Sequence, residues 1–307
     1  MFDFLEDRLF NQKKIKQWIK EGKAPPEGKI YYWETGGDTF LPLVENKYDL
    51  RWVNIINRPE TVILGQSIVG DYLKSTYDLC EFRFIGFHMV PLMNTNLIKL
   101  KKADPDLNFF CLSAVRQDRS HRQRFKDFLE SNHLDRLGLC RFQSGDQSMI
   151  SFSDLEPFYP SKMLEDGFLP ILPSVGMYNR TRYEVVIETF GFDPADDTFD
   201  MSEKIFKPII MKHPFMVAST IGYLDNMKKL GFRTFSKYID ESYDTELSEG
   251  KKFEIIGKNI SFLNQQDKNY YEGIEEICQY NYNLFIELQK EYGHNLQIQI
   301  DRIKNES

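Results

Sequence analysis

Residues Tyr183 to Asp244 read YEVVIETFGFDPADDTFDMSEKIFKPIIMKHPFMVASTIGYLDNMKKLGFRTFSKYIDESYD, and their order decides the fold. The run YEVVIET has the apolar, β-branched content of a buried strand. A polar loop follows and meets a short helix at Ser202. Pro214 to Ser219, PFMVAS, is a second apolar run, and a second helix ends at Gly231. Strand, loop, helix, strand, helix is half of a doubly wound α/β domain, where ligands sit outside the carboxyl ends of the strands. Ser202, Glu203 and Lys204 fall at that place, at a helix start, where backbone N–H groups and the dipole favour an anion. From these three residues alone, a capped and solvated helix start is the simpler account. Pro208 keeps this helix short or kinked.

A second strand-to-helix turn lies upstream. Asn108 to Val115, NFFCLSAV, is a continuous apolar run of the buried-strand type. The loop after it carries Arg116, Arg119, His121 and Arg122. Phe125, Phe128, Leu129, Leu134 and Leu137 then mark an amphipathic helix. Basic residues at a helix start oppose the dipole, so their position asks for a reason. A bound diphosphate supplies one, because arginine forks match phosphate oxygens in geometry and charge. The other account is a basic, solvated first turn.

The N-terminal third is less explicit. Residues 2–21 have helical spacing, and Lys29 to Trp33, KIYYW, reads as a short strand. It ends in Glu34-Thr35-Gly36-Gly37-Asp38, before a helix expected from Thr39 to Val44. Glu34 or Asp38 would stand at a strand's carboxyl end as a general base; the simpler account is a tight turn with a solvated acid and a helix cap. Tyr48 to Ile56 and Thr61 to Leu64 read as β elements, Val69 to Tyr77 as helix, and Cys80 to Val90 as one strand or two. His88 in that run is read as a core histidine, with catalysis as the other reading. Lys99 to Leu107 is the expected linker.

Residues 143–182 read as irregular, broken by Pro157, Pro160, Pro170 and Pro173. Helices are expected from Lys252 to about Leu263 and from Tyr271 to about Tyr292, with 293–307 a frayed tail.

Composition narrows the class. At 307 residues, 41% apolar and 14% aromatic, the chain can fill two ordinary cores. A net charge of -7 argues against broad electrostatic capture of nucleic acid. Cys80, Cys111, Cys140 and Cys278 are far apart and lack metal-ligand spacing, so buried free thiols and a reducing, cytoplasmic setting are expected. Neither a signal peptide nor an apolar run long enough to span a membrane is read. Asp193, Asp196 and Asp197 read as a loop rather than a metal site.

Glu184 to Thr189, EVVIET, followed by Asp200 to Ser219, DMSEKIFKPIIMKHPFMVAS, resembles the donor-binding half of α-1,3-fucosyltransferases. In that family a strand ending in aromatic-Glu-Asn-Ser precedes Thr/Ser-Glu-Lys, an amphipathic helix and a Pro-Val-Val strand. FFCLSAV and HRQRFKDFL resemble the strand and helix that open the same half. LGFRTFSKYIDESYD is similar to small glycosyltransferase-like proteins of tailed phages and related marine viruses. The likeness covers roughly residues 108–245. Thr189 replaces the family's Asn, and Phe215-Met216-Val217 replaces Pro-Val-Val.

The resemblance implies a GT-B-like α/β fold: two Rossmann-like domains facing an interdomain cleft. The expected division is 1–105 for the acceptor side, 106–270 for the nucleotide-sugar donor side, and 271–307 as a helix crossing back. It implies that Glu203 holds the ribose, Lys204 the diphosphate, and Arg116 or Arg122 the phosphates. Ser202 caps the helix and Glu188 lies near the sugar. The implied reaction moves a sugar from a nucleotide-diphosphate donor to a hydroxyl acceptor, without a required metal or cofactor. The acceptor would be a glycan or, on the phage likeness, a modified DNA base, and the setting would then be a host cytoplasm. The alternative is a non-catalytic nucleotide or sugar binding protein with a degenerate transferase fold.

Overall fold

A computed structural model describes residues 9–24, 27–32, 43, 48–65, 71–84, 105, 107–115, 120–144, 175–188 and 199–306. The fold is α/β and rests on two four-stranded sheets, each wholly parallel among these residues. Parallel neighbours require crossover connections, and helices supply them. The chain divides into two compact units. The first comprises residues 1–88, 193–202 and 288–307, and the second comprises 89–192 and 203–287.

In the first unit, strands β1 (Leu9–Phe10), β2 (Ile30–Tyr32), β3 (Thr61–Gly65) and β4 (Glu81–Phe84) lie in sequence order. Helix α1 (Gln12–Glu21) starts at Asn11, whose Oδ1 accepts from the Lys14 N–H at 3.0 Å. Helix α2 (Leu50–Ile56) corrects the β reading of Tyr48 to Ile56. Asp49 caps it, accepting from the Arg51 N–H at 3.0 Å, and Trp52, Ile55 and Ile56 are its buried side. That is helical spacing, which outweighs the β-rich composition. Helix α3 (Asp71–Thr76) joins β3 to β4. Tyr31, Tyr32, Trp52, Ile63, Leu64, Leu73 and Tyr77 form the core.

The second unit contains β5 (Leu107–Val115), α4 (Ser120–Ser131), β6 (Gly138–Ser144), α5 (Val175–Arg180) and β7 (Thr181–Ile187). It continues with α6 (Glu203–Ile210), β8 (Phe215–Ala218), α7 (Tyr223–Lys229) and α8 (Glu249–Leu263). Its sheet runs β6-β5-β7-β8. In order of appearance that is 2-1-3-4, so the winding direction reverses between β5 and β7.

Strand β6 and helix α5 correct the reading of 143–182 as irregular throughout, and the helix marked out to Leu137 ends at Ser131. Edge strand β6 pairs only with β5 among the described strands and leaves Leu139 to Phe142 half-buried, so its alternation is weak. Gly138 opens β6 where a Cβ would lie 2.3 Å from the Phe109 carbonyl oxygen.

Aromatic packing closes the core. Phe109 stacks on Tyr183 at 5.6 Å, and Phe125 of α4 meets Phe253 of α8 edge-on at 5.0 Å. Cys111 and Cys278 are buried, whereas Cys80 and Cys140 are half-buried.

Helix α9 (Lys268–Glu306) replaces the frayed tail read at 293–307. Ile300 and Ile303 are buried three residues apart on one helical side, and this burial holds the last turns. Among the described residues no helix is long and apolar enough to cross a membrane.

Candidate functional site

The site forms at the reversal point of the second sheet, where the carboxyl ends of β5 and β7 lie side by side. Chain leaves β5 toward α4 on one side, and the neighbouring strand β7 ends at Ile187, so that Glu188 follows directly. A crevice between diverging connections is the usual ligand place in such a sheet.

Glu188 is the hub. Its backbone N–H donates to the Ala218 carbonyl at 3.1 Å, continuing the ladder to β8. Its carbonyl accepts from Arg122 Nη2 at 3.3 Å and lies 3.4 Å from His121 Nε2. The first turn of α4 therefore bridges the reversal point. Both side chains are buried, Arg122 being 5% exposed. Arg124, two residues on, points elsewhere and pairs with Glu249 on the surface.

The Glu188 carboxylate, itself buried, faces the other way along the strand ends. Its Oε1 accepts from the Tyr223 hydroxyl at 3.1 Å, and its Oε2 lies 3.8 Å from Lys204 Nζ. Lys204 also reaches Glu203 Oε1 at 3.1 Å. Helices α6 and α7 thus meet on the Glu188 carboxylate, while α4 holds its backbone carbonyl.

Helix α6 presents these groups because its apolar side is turned inward. Ile205, Phe206, Ile209 and Ile210 are buried, leaving Glu203, Lys204 and Lys207 half-buried. Pro208 contributes no N–H, and the helix stops at Ile210 after eight residues, as expected from the sequence. Ser202, buried, immediately precedes it.

Charge within this cluster is strongly organised. Burial pushes the Glu203 carboxyl up, but Lys204 and Lys207 outweigh it and bring it down to about 2. Glu184, four residues before Glu188 on β7, is buried, and burial pushes its carboxyl up to about 8 despite a 2.7 Å hydrogen bond from the Tyr178 hydroxyl. Burial also lowers Lys207, against the pull of Glu203 and Glu184.

The turn after β8 is closed by Asp244. Its carboxylate accepts from the N–H groups of Leu224 at 2.9 Å and Asp225 at 3.3 Å, and its carbonyl accepts from Gly222 at 2.9 Å. An internal carboxylate thus occupies the amino end of α7 that an external anion would otherwise use. Lys252 Nζ donates to the Ser219 carbonyl at 3.1 Å, and burial lowers its ammonium to about 8. This anchoring fixes Tyr223, the first residue of α7, against Glu188.

Of the residues singled out in the sequence, Glu188, Lys204, Glu203 and Arg122 come together in the second unit. Arg116, Glu34, Asp38 and His88 lie outside the described residues. Tyr223, Lys207, Glu184 and Tyr178 were not singled out. Lys207 could have been found as the fourth residue after Glu203 on a helix, and Glu184 as a charge inside a buried-strand run. Tyr223 carries no local signal, since its partner is 35 residues away. Among the described residues no three His, Cys, Asp or Glu side chains group as a metal site.

No protein-family model matches the chain, and no curated protein matches its sequence. Among solved structures it is similar to the β-glucosyltransferase of T4 phage, with 11% identity over 88% of this chain and 75% of that one and a TM-score of 0.40. It is also similar to a mutant of that phage enzyme in complex with UDP-glucose, with 12% identity over 92% and 74% of the two chains and a TM-score of 0.40.

Proposed function

We propose that the chain is a glycosyltransferase of the GT-B type that takes a nucleotide-diphosphate sugar as donor. The observation that carries this reading is the convergence of Arg122, Glu188, Lys204 and Glu203 at the reversal point of a parallel sheet. Ionised Glu203 would accept from both ribose hydroxyls, charge-assisted bonds being the strong ones. Lys204 would turn from the two carboxylates toward the diphosphate. Asp244 fills the neighbouring helix start, which favours the β5–β7 crevice for phosphate. The fucosyltransferase-like Ser-Glu-Lys segment supports the same assignment.

In the reaction the acceptor oxygen bonds to the anomeric carbon as the bond from that carbon to the phosphate oxygen breaks. The electron pair leaves with the nucleoside diphosphate, whose charge the cations stabilise. A carboxylate takes the acceptor proton if the configuration inverts. Glu34 or Asp38 from the first unit is the proposed base, and a glycan or modified DNA base the proposed acceptor.

The test is turnover of a donor panel including UDP-glucose and GDP-fucose, with release of nucleoside diphosphate as the readout. Release by the wild type, lost in both Glu203→Ala and Lys204→Ala, is expected. No release with any donor, together with no binding of any nucleoside diphosphate, would remove the reading.

A further inference from the structure

Glu188 is 2% exposed, while the side chains of Lys204 and Glu203 are 24% and 26% exposed. A carboxylate so enclosed presents almost no surface to a ligand, and a buried charge is costly unless it has partners. Its backbone N–H donates to the Ala218 carbonyl at 3.1 Å, and its carbonyl accepts from Arg122 at 3.3 Å. Its Oε1 accepts from the Tyr223 hydroxyl at 3.1 Å. With the backbone and one carboxylate oxygen held, the place of the other oxygen is set.

That other oxygen, Oε2, faces Lys204. The ammonium lies 3.8 Å from it and 3.1 Å from Glu203 Oε1. The two distances differ in kind. At 3.1 Å Glu203 is within hydrogen-bond reach of the ammonium. At 3.8 Å Glu188 is beyond that reach and acts as a charge. A ligand oxygen can therefore take the place of Glu203 as acceptor, while the pull of Glu188 from the buried side remains.

We propose that Glu188 is a positioning residue: fixed by Tyr223, it keeps Lys204 aimed into the crevice while the Glu203 contact is exchanged for a diphosphate, and it does not itself bind the sugar. The proposal rests on the reading of Lys204 as the cation that meets the diphosphate. It moves Glu188, which the resemblance places near the sugar, to a supporting role at the phosphate end.

The test compares nucleotide with sugar nucleotide by calorimetry, UDP against UDP-glucose and GDP against GDP-fucose. The proteins are wild type, Glu188→Gln, Lys204→Met and the double variant. A residue that touches the sugar affects the sugar nucleotide alone, whereas one that aims Lys204 affects both ligands. Glu188→Gln can still accept from the Tyr223 hydroxyl. It should weaken nucleotide and sugar nucleotide by the same factor, roughly tenfold, and should weaken neither further once Lys204 is Met. Loss confined to the sugar nucleotide overturns the proposal, and so does a full additional loss in the double variant. Should Glu188→Gln not fold, Tyr223→Phe takes its place, with the same equal loss expected and the same results overturning it. If no ligand binds the wild type, the function reading fails, and urea unfolding of the same four proteins decides whether Glu188 holds Lys204. The midpoint shifts of the two single variants should then be non-additive, and additive shifts overturn the proposal.

Discussion

The Tyr223 hydroxyl donates to Glu188 Oε1 across 3.1 Å, joining the first residue of α7 to the end of β7. Both residues are buried, so this bond ties two strand-to-helix connections into one site. Removing the hydroxyl leaves a buried carboxylate short of one donor, at a cost of about 1–3 kcal/mol. Tyr223→Phe should lower the urea midpoint accordingly and weaken nucleoside diphosphate binding roughly tenfold in calorimetry. Wild-type stability in that variant would mean that the bond contributes nothing.

Asp244 holds the amino end of α7 from 20 residues away. Asp244→Ala should cost about 1–2 kcal/mol, as loss of a helix cap does, and should weaken nucleotide binding through Tyr223. Asp244→Asn keeps an acceptor for the Leu224 N–H and should lose less on both counts. The ordering of the two variants by thermal unfolding is the check.

His213 is buried beside Thr181, with its Nε2 3.3 Å from the Thr181 hydroxyl and the Tyr178 ring edge-on at 5.1 Å. Burial lowers its imidazolium to about 3. A base depressed in the folded state contributes stability that is present above its unfolded value near 6.5 and is lost as pH falls toward 3. The loss approaches about 1.4 kcal/mol per pH unit in that window. His213→Gln should flatten the acid side of the stability profile between pH 6.5 and 4, measured by urea unfolding at each pH.

Gly138 admits no side chain. Its missing Cβ would stand 2.3 Å from the Phe109 carbonyl oxygen and 2.6 Å from the Phe109 ring. Gly138→Ala must push β6 away from β5, and overpacking of this kind costs about 1–3 kcal/mol. Amide exchange in β6 should quicken most.

The second sheet is legible because β5, β7 and β8 are buried runs, β8 even though it lies at the edge of the described sheet. Phe109 to Cys111, Val185 to Ile187 and Phe215 to Ala218 are continuous apolar runs that lie in the core. Edge strand β6 was missed for the converse reason, since a half-buried edge carries a mixed sequence. Helix α2 was misread because Trp52, Val53, Ile55 and Ile56 are β-rich in type, while their burial follows a helical period. At the candidate site, Glu203 and Lys204 stand out through the fucosyltransferase resemblance, since their place at a helix start is as simply explained by a solvated cap. Tyr223 is not legible, because its partner Glu188 is 35 residues away and meets it only through the parallel strand order.

Glu203 and Lys204 are proposed to hold a nucleoside diphosphate at the β5–β7 crevice. Isothermal titration of wild type, Glu203→Ala and Lys204→Ala with UDP and GDP tests it most directly. A charged hydrogen-bond partner is worth about 1.5–3 kcal/mol, so each variant should bind roughly 10- to 150-fold more weakly while unfolding like the wild type. Equal affinity in all three proteins would contradict the claim.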